Sequence, residues 1–239
     1  MSRKSNLSRL NGILWILVGF FFIADAFLLV GKNLREDTKA GRVSVQIMSE
    51  LEEKADFPKV LPQPEEQNEQ NKQNKQNEIS RLENKYKDVE YVVFPDIEMP
   101  IVEVNGFEYI GKLDLPTLNL TLPVQSDWDN RKLQNSPCRY AGSVYQNNMV
   151  LSAHNYSSHF GKLDSMQPGD AAIFYDNNGN IFEFCLTEIE MLNGTDIEKM
   201  IDAQNWDLTL FTCTVGGLNR ITARFRLVNS TPADKSILG

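Results

Sequence analysis

The stretch that most limits the fold of this chain is Leu208-Thr-Leu-Phe-Thr-Cys-Thr-Val-Gly-Gly-Leu-Asn-Arg220, continued by Ile-Thr-Ala-Arg-Phe-Arg-Leu-Val228. Residues 208–213 are β-branched, aromatic or aliphatic, types that pack well on a pleated surface. Side chains alternate across a strand, so Leu208, Leu210 and Thr212 share one face and Thr209, Phe211 and Cys213 the other. Val215-Gly-Gly-Leu-Asn219 is turn chemistry, because adjacent glycines reach positive φ without steric cost. Alternation then resumes, with Ile221, Ala223, Phe225 and Leu227 on one face and Thr222, Arg224 and Arg226 on the other. The expectation is a hairpin in which Cys213 ends the first strand and Arg220 opens the second, six residues apart by the intervening count. Paired strands lie about 5 Å apart, so thiol and guanidinium are expected to meet at the rim of a sheet. A neighbouring cation favours the thiolate, the nucleophilic form of cysteine.

A second short apolar strand, Met149-Val-Leu-Ser-Ala-His-Asn-Tyr156, ends in a histidine and a polar turn. The chain has two histidines, His154 and His159, so the imidazole partners available to Cys213 are few. From the residues alone each assignment has a plain rival. Cys213 reads equally well as an inert buried thiol, as most free cysteines are, and His154 as a core histidine with its hydrogen bonds satisfied. His159 follows Ser157-Ser158, a context that predicts an exposed loop. Arg224 and Arg226 are alternatives to Arg220 on the same strand face.

The order Leu151-Ser-Ala-His-Asn-Tyr156, His159-Phe-Gly-Lys-Leu-Asp164, Gly169-Asp170, Thr209-Leu-Phe-Thr-Cys213 and Asn219-Arg220 resembles the sortases, membrane-anchored cysteine transpeptidases of Gram-positive bacteria. The resemblance runs from about residue 109 to 228. It implies an all-β fold, a closed eight-stranded β-barrel with one or two short helices, and a catalytic trio of His154, Cys213 and Arg220. Ala153, Phe211 and Thr212 beside them are the expected substrate contacts. The resemblance further implies a surface-protein substrate with a C-terminal sorting signal of the Leu-Pro-x-Thr-Gly type, and a cell-wall peptidoglycan amine as acceptor. It requires no cofactor. Whether calcium tunes the site stays open, since the nearby carboxylates Asp164 and Asp170 are too scattered to argue a site.

These three residues permit acyl transfer. A Cys–His pair supplies a thiolate nucleophile and an imidazolium acid, and arginine's fixed fork of donors suits a carbonyl or an oxyanion. Papain-like hydrolases place the cysteine first and on a helix, whereas here His154 precedes Cys213. A chymotrypsin-like cysteine protease expects Gly-x-Cys-Gly, and this chain has Phe-Thr-Cys-Thr. The non-enzyme alternative is a stalked surface binding module, in which Cys213 is unreactive.

Elsewhere, residues 10–30 form a membrane-length apolar run, preceded by Arg3, Lys4 and Arg9. At 1.5 Å per residue it spans a hydrocarbon core of about 30 Å, and the basic cluster favours a cytoplasmic N-terminus with the remainder outside. Ala24-Asp-Ala26 offers a signal-peptidase alternative, but apolar residues continue beyond it. The expected plan is a tail (1–9), an anchor (10–31), a stalk (32–91), a catalytic domain (92–230) and a short C-terminal tail (231–239). The stalk includes an amphipathic helix at 43–54 with Val45, Met48 and Leu51 on one face, prolines at 58, 62 and 64 that stop it, a Gln/Asn-rich tract at 67–78, and a second helical stretch at 79–91. The chain ends without a second apolar span, which by the resemblance disfavours a pilus-polymerising type.

Within 92–230 the expected strands are Gly111 onward with a break at Pro116, Tyr140-Ala-Gly-Ser143, 149–153, Ala171-Ala-Ile-Phe-Tyr175 and 181–190. Short strands punctuated by Asn, Gly and Pro indicate a closed or sandwiched all-β domain. Thr195-Asp-Ile-Glu198 fits a capping box, with Thr195 as N-cap of a helix reaching about Gln204. Cys138 and Cys185 are expected to be two small buried thiols, with a disulfide as the alternative. A formal net charge of −8 excludes nucleic acid as a principal partner.

Overall fold

The computed structural model describes residues 2–58, 98–202 and 205–233. The chain divides into two compact units, residues 1–39 and 40–239.

The described part of the first unit is helical and belongs to α1 (Ser2–Lys54). Trp15, Phe20, Phe27 and their apolar neighbours are exposed all round this segment. Among the described residues α1 is the one helix long and apolar enough to cross a membrane, compatible with a single-pass anchor.

The second unit is built on nine strands. β1 (Val102–Val104), β2 (Phe107–Leu115), β3 (Leu120–Gln125), β4 (Cys138–Ala141) and β5 (Met149–Ala153) come first. β6 (Ala171–Asp176) and β7 (Ile181–Asn193) follow, then the short helix α2 (Ile197–Met200), β8 (Leu208–Cys213) and β9 (Asn219–Thr231). The order is β2-β3-β4-β5-β8-β9-β7-β6, and β6 pairs back onto β2. Eight strands therefore close into a ring, which leaves no free edge in the barrel, while β1 adds to β2 from outside. The closed eight-stranded barrel expected from the sequence is the observed fold.

Closure depends on Gly111. Its φ is +148°, and a Cβ there would lie 2.0 Å from the Tyr175 carbonyl oxygen, so no other residue lets β2 approach β6 this closely. The barrel interior is filled by the inward halves of the alternating strands, among them Leu113, Val124, Leu151, Phe174, Phe184, Leu210 and Phe225, together with Phe160 from the loop after β5.

Several sequence expectations differ from the structure. Residues 40–54, assigned to the stalk, belong to the second unit as the last turns of α1. Ile47, Met48 and Leu51 pack there against Val104 and Tyr109. Val45, placed on the packing face from spacing, is instead 71% exposed, and the buried stripe is Ala40, Ser44, Ile47, Met48 and Leu51. The capping box does not form. Asn193 Oδ1 accepts from both the amide and the hydroxyl of Thr195 at 3.1 and 2.9 Å, which draws Thr195 out of the cap. Asp196 occupies the N-cap position, and α2 spans only four residues. The Gln/Asn-rich tract, the second stalk helix and Gln204 lie outside the described residues, as do residues 234–239 of the expected tail.

Candidate active site

Two strand ends leave the barrel side by side. β5 and β8 run parallel, in register from Met149 opposite Leu208 to Ala153 opposite Thr212. His154 and Cys213 are the residues at the next step along each strand. The Thr212 hydroxyl donates to the Ala153 carbonyl at 2.9 Å and fastens the two ends together. On the other side of β8, the antiparallel register sets Cys213 directly opposite Arg220, and directly paired residues present their side chains on the same face. His154, Cys213 and Arg220 are all half-buried. The backbone thus brings the three expected residues to one rim.

The turn between Cys213 and Arg220 is tight. Gly216 and Gly217 take φ of +89° and +75°, and Thr214 receives a backbone bond from Gly217 and donates one to Asn219. Arg220 folds back on this turn, with Nη1 donating to the carbonyls of Gly217 at 2.8 Å and Asn219 at 3.1 Å. Gly194, just past the end of β7, makes room for it. A Cβ there would stand 3.0 Å from Arg220 Nη1 and 2.9 Å from the Leu218 carbonyl. Gly194 was not singled out from sequence, because only the β7–β9 approach reveals what its missing side chain vacates.

The expected substrate contacts separate into two groups. Phe211 lies on the Cys213 face, while Ala153 is part of the inner core and the Thr212 hydroxyl is held by β5. Ala153 and Thr212 therefore back the site from inside the barrel. Phe211 meets Tyr140 edge-on at 5.2 Å between ring centroids, and Tyr140 meets Trp128 in the same manner at 5.9 Å. Beside this ladder opens a recess of about 360 Å3 lined by Trp128, Arg139, Tyr140 and Gly142 among others. Val150, Leu192 and Met200 complete the apolar patch around Phe211.

Of the alternative arginines, Arg224 is 2% exposed. Its Nε and Nη2 reach Glu190 Oε1 at 2.8 and 2.7 Å, Nη1 donates to the Thr209 hydroxyl at 3.0 Å and the Met200 carbonyl at 3.2 Å, and Nη2 donates to the Lys199 carbonyl. It pins α2 over the outer face of β8. Arg226 stacks on Trp206 at 5.6 Å. His159 sits in no exposed loop: it is fully buried, contrary to the expectation from its serine neighbours. His154 lies 4.9 Å from the ring of Tyr156.

Cys138, Cys185 and Cys213 are all free thiols. Cys138 is buried, and burial pushes its thiol up to about 12, an inert site. Among the described residues no group of three His, Cys, Asp or Glu side chains could hold a metal ion. The Asp170 carboxylate accepts the Gln167 amide at 2.8 Å and so serves its own turn.

A family profile described as Sortase domain matches residues 113–229, from within β2 almost to the end of β9. The chain belongs to the sortase family. No curated protein matches it. Among solved structures, a Clostridium perfringens Sortase D5 transpeptidase is similar with a TM-score of 0.52 at 16% identity, covering 79% of this chain and 99% of that one. Sortase C-3 from Streptococcus pneumoniae is 23% identical with a TM-score of 0.46, covering 67% of this chain and 84% of its own. Sortase A from Listeria monocytogenes is 19% identical with a TM-score of 0.47, covering 54% and 93%. At such identities the likeness is one of fold, and the chemistry of this sortase has to be argued from its own rim.

Proposed function

We propose that this sortase is a membrane-anchored cysteine transpeptidase acting on surface proteins with a C-terminal sorting signal. In this reading the Cys213 thiolate attacks the carbonyl carbon of the scissile peptide bond. Arg220 donates to the oxygen as negative charge develops on it, and His154 gives its proton to the leaving amine as the C–N bond breaks. The acyl group is then held as a thioester. An incoming cell-wall amine attacks it and returns a proton to His154, the C–S bond breaks, and a new amide is released with the thiolate restored. No oxidant or metal is consumed in this cycle.

The observation that carries the reading is the double register of β8: Cys213 is opposite Arg220 on one side, and one step past the Ala153–Thr212 pair on the other. For the anchor, the support is the exposed apolar length of α1 and the basic Arg3, Lys4 and Arg9 before it, which favour an N-terminus inside and the barrel outside.

The test is to incubate the full chain in detergent with a library of Leu-Pro-x-Thr-Gly-type peptides and an added amine, and to read the products by mass spectrometry. Acyl–amine products that vanish in Cys213→Ala are expected. Hydrolysis alone, despite excess amine, would make the enzyme a protease; no product at all would leave a binding module.

A further inference from the structure

The loop that carries His154 is closed by its own backbone. Phe160 donates to the His154 carbonyl at 3.2 Å, and the Tyr156 carbonyl accepts from His159 at 3.0 Å and Gly161 at 2.8 Å. Phe160 plugs the far end of this loop into the barrel core. Three rings then run in sequence through it. His154 and Tyr156 have centroids 4.9 Å apart, and Tyr156 and His159 5.6 Å apart.

The last ring abuts α1. His159 Nε2 lies 3.4 Å from the Ser44 hydroxyl, which is buried and donates to the Asn135 carbonyl at 2.8 Å. A hydroxyl has one proton. With that proton on Asn135, Ser44 can only accept from His159, which assigns the hydrogen to Nε2. One turn earlier the helix has Gly41, where a Cβ would come 3.1 Å from Ser158 Cβ. Helix and loop are therefore in close contact at Gly41 and at Ser44. Both lie in the stretch of α1 that belongs to the barrel's own unit.

We propose that residues 40–48 of α1 form a positioning element for the catalytic imidazole, acting through Ser44, His159 and the ring of Tyr156 on His154. The proposal rests on His154 being the acid of the proposed transpeptidase. Tyr156 is the positioning residue, and the contact proposed to matter is that of its ring, which lies against both imidazoles. Ser44 and His159 fix that ring from behind. An imidazole that delivers a proton to a leaving amine has to be held in reach of it, and small misplacements are costly in rate.

The experiment compares transpeptidation kinetics of the full chain in detergent for His154→Ala, Tyr156→Phe, Tyr156→Leu and Ser44→Ala. Tyr156→Leu is expected to lower kcat roughly tenfold with KM nearly unchanged, and Tyr156→Phe to restore wild-type turnover. Ser44→Ala is expected to lower kcat severalfold in the same pattern. Wild-type kcat in both Tyr156→Leu and Ser44→Ala overturns the proposal. So does a loss that only tracks the folded fraction in thermal scans and affects the Phe variant equally. If Tyr156→Leu fails to fold, Ser44→Ala decides by itself, unchanged kcat being the adverse result. Wild-type activity in His154→Ala would remove the site reading and this proposal together, whereas an inactive His154→Ala beside a fully active Ser44→Ala and Tyr156→Leu removes this proposal only.

Discussion

Arg224 reaches from β9 to Glu190 on the neighbouring β7 with 2.7 Å between guanidinium and carboxylate, and does so from a position that is almost wholly buried. Arg220 stands four residues earlier on the same strand face, half-buried at the rim. One arginine is a buried brace, and the other stands at the rim opposite Cys213. Arg224→Ala takes the guanidinium away from Glu190, the Thr209 hydroxyl and the Lys199 and Met200 carbonyls. It is expected to cost about 3 kcal/mol, discounted for the partial exposure of Glu190, or roughly 6–12 °C in Tm. Arg220→Ala should leave Tm nearly unchanged and lower kcat/KM by about a hundredfold or more, with Arg220→Lys recovering only part. Thermal scans and transpeptidation kinetics on the two variants check this. The reverse pattern would exchange the roles of the two residues.

Gly194 supplies a gentler probe of the same arginine. The Cβ of Gly194→Ala would press on Arg220 Nη1 and on the Leu218 carbonyl, so the guanidinium or the turn has to shift. The expected result is a drop in kcat of roughly tenfold to a hundredfold from misplacement alone, with alkylation of Cys213 by iodoacetamide still proceeding. Unaltered kcat would mean that the guanidinium has room to move without loss.

The three thiols should separate by chemistry. Cys213→Ala is expected to abolish acyl-enzyme formation, and Cys138→Ala and Cys185→Ala to leave it intact, read by intact-protein mass spectrometry. Cys138 also has a signature in stability. Its folded value of about 12 exceeds the unfolded 9.0 because burial favours the neutral thiol. Above pH 9 the unfolded chain therefore sheds a proton that the folded chain keeps, and stability falls as pH rises toward 12. The phenols of Tyr109, Tyr145 and Tyr175 are raised as well, burial first among the causes, and steepen the decline from about pH 10. Urea melts at pH 8 and 9.5 should show this loss in the wild type and less of it in Cys138→Ala.

The hairpin was legible because two short-range signals agree there: strict alternation on both arms, and paired glycines where positive φ is needed. Closure of the barrel came with the family resemblance, since alternation alone allows a sandwich equally, and the order of its strands emerged only from the structure. What lies over the outer face of β8 was not legible. Arg224 alternates outward like Arg220, and only the placement of α2 and the reach of Glu190 bury it. The capping pattern at Thr195 was present in sequence but lost to Asn193, a local competitor two residues away. His159 follows two serines and still ends up buried, because α1 returns from more than a hundred residues earlier in the chain to cover it.

Topology has its own test. With α1 as an anchor and the barrel outside, protease added to intact cells should release a soluble fragment that contains the barrel and reacts at Cys213. Protection of the barrel until the cells are lysed would reverse the orientation.

Trp128 tests whether the aromatic ladder serves binding or only packing. Phe211 is buried beneath Tyr140, but Trp128 at the far end is 42% exposed and offers an edge to anything lying along the Cys213 face. Because it is peripheral, Trp128→Ala should leave the barrel folded, which makes it more informative than truncating Phe211. An aromatic contact made alike in the bound substrate and the transition state changes KM and leaves kcat in place. Loss of a contact of about 1.4 kcal/mol corresponds to a tenfold change, within the range of an aromatic pair, so KM for the sorting-signal peptide should rise roughly tenfold while kcat holds. Trp128→Phe should restore most of the affinity. An unchanged KM in Trp128→Ala would leave the ladder as packing, and Phe211 would then have no part in substrate recognition through it.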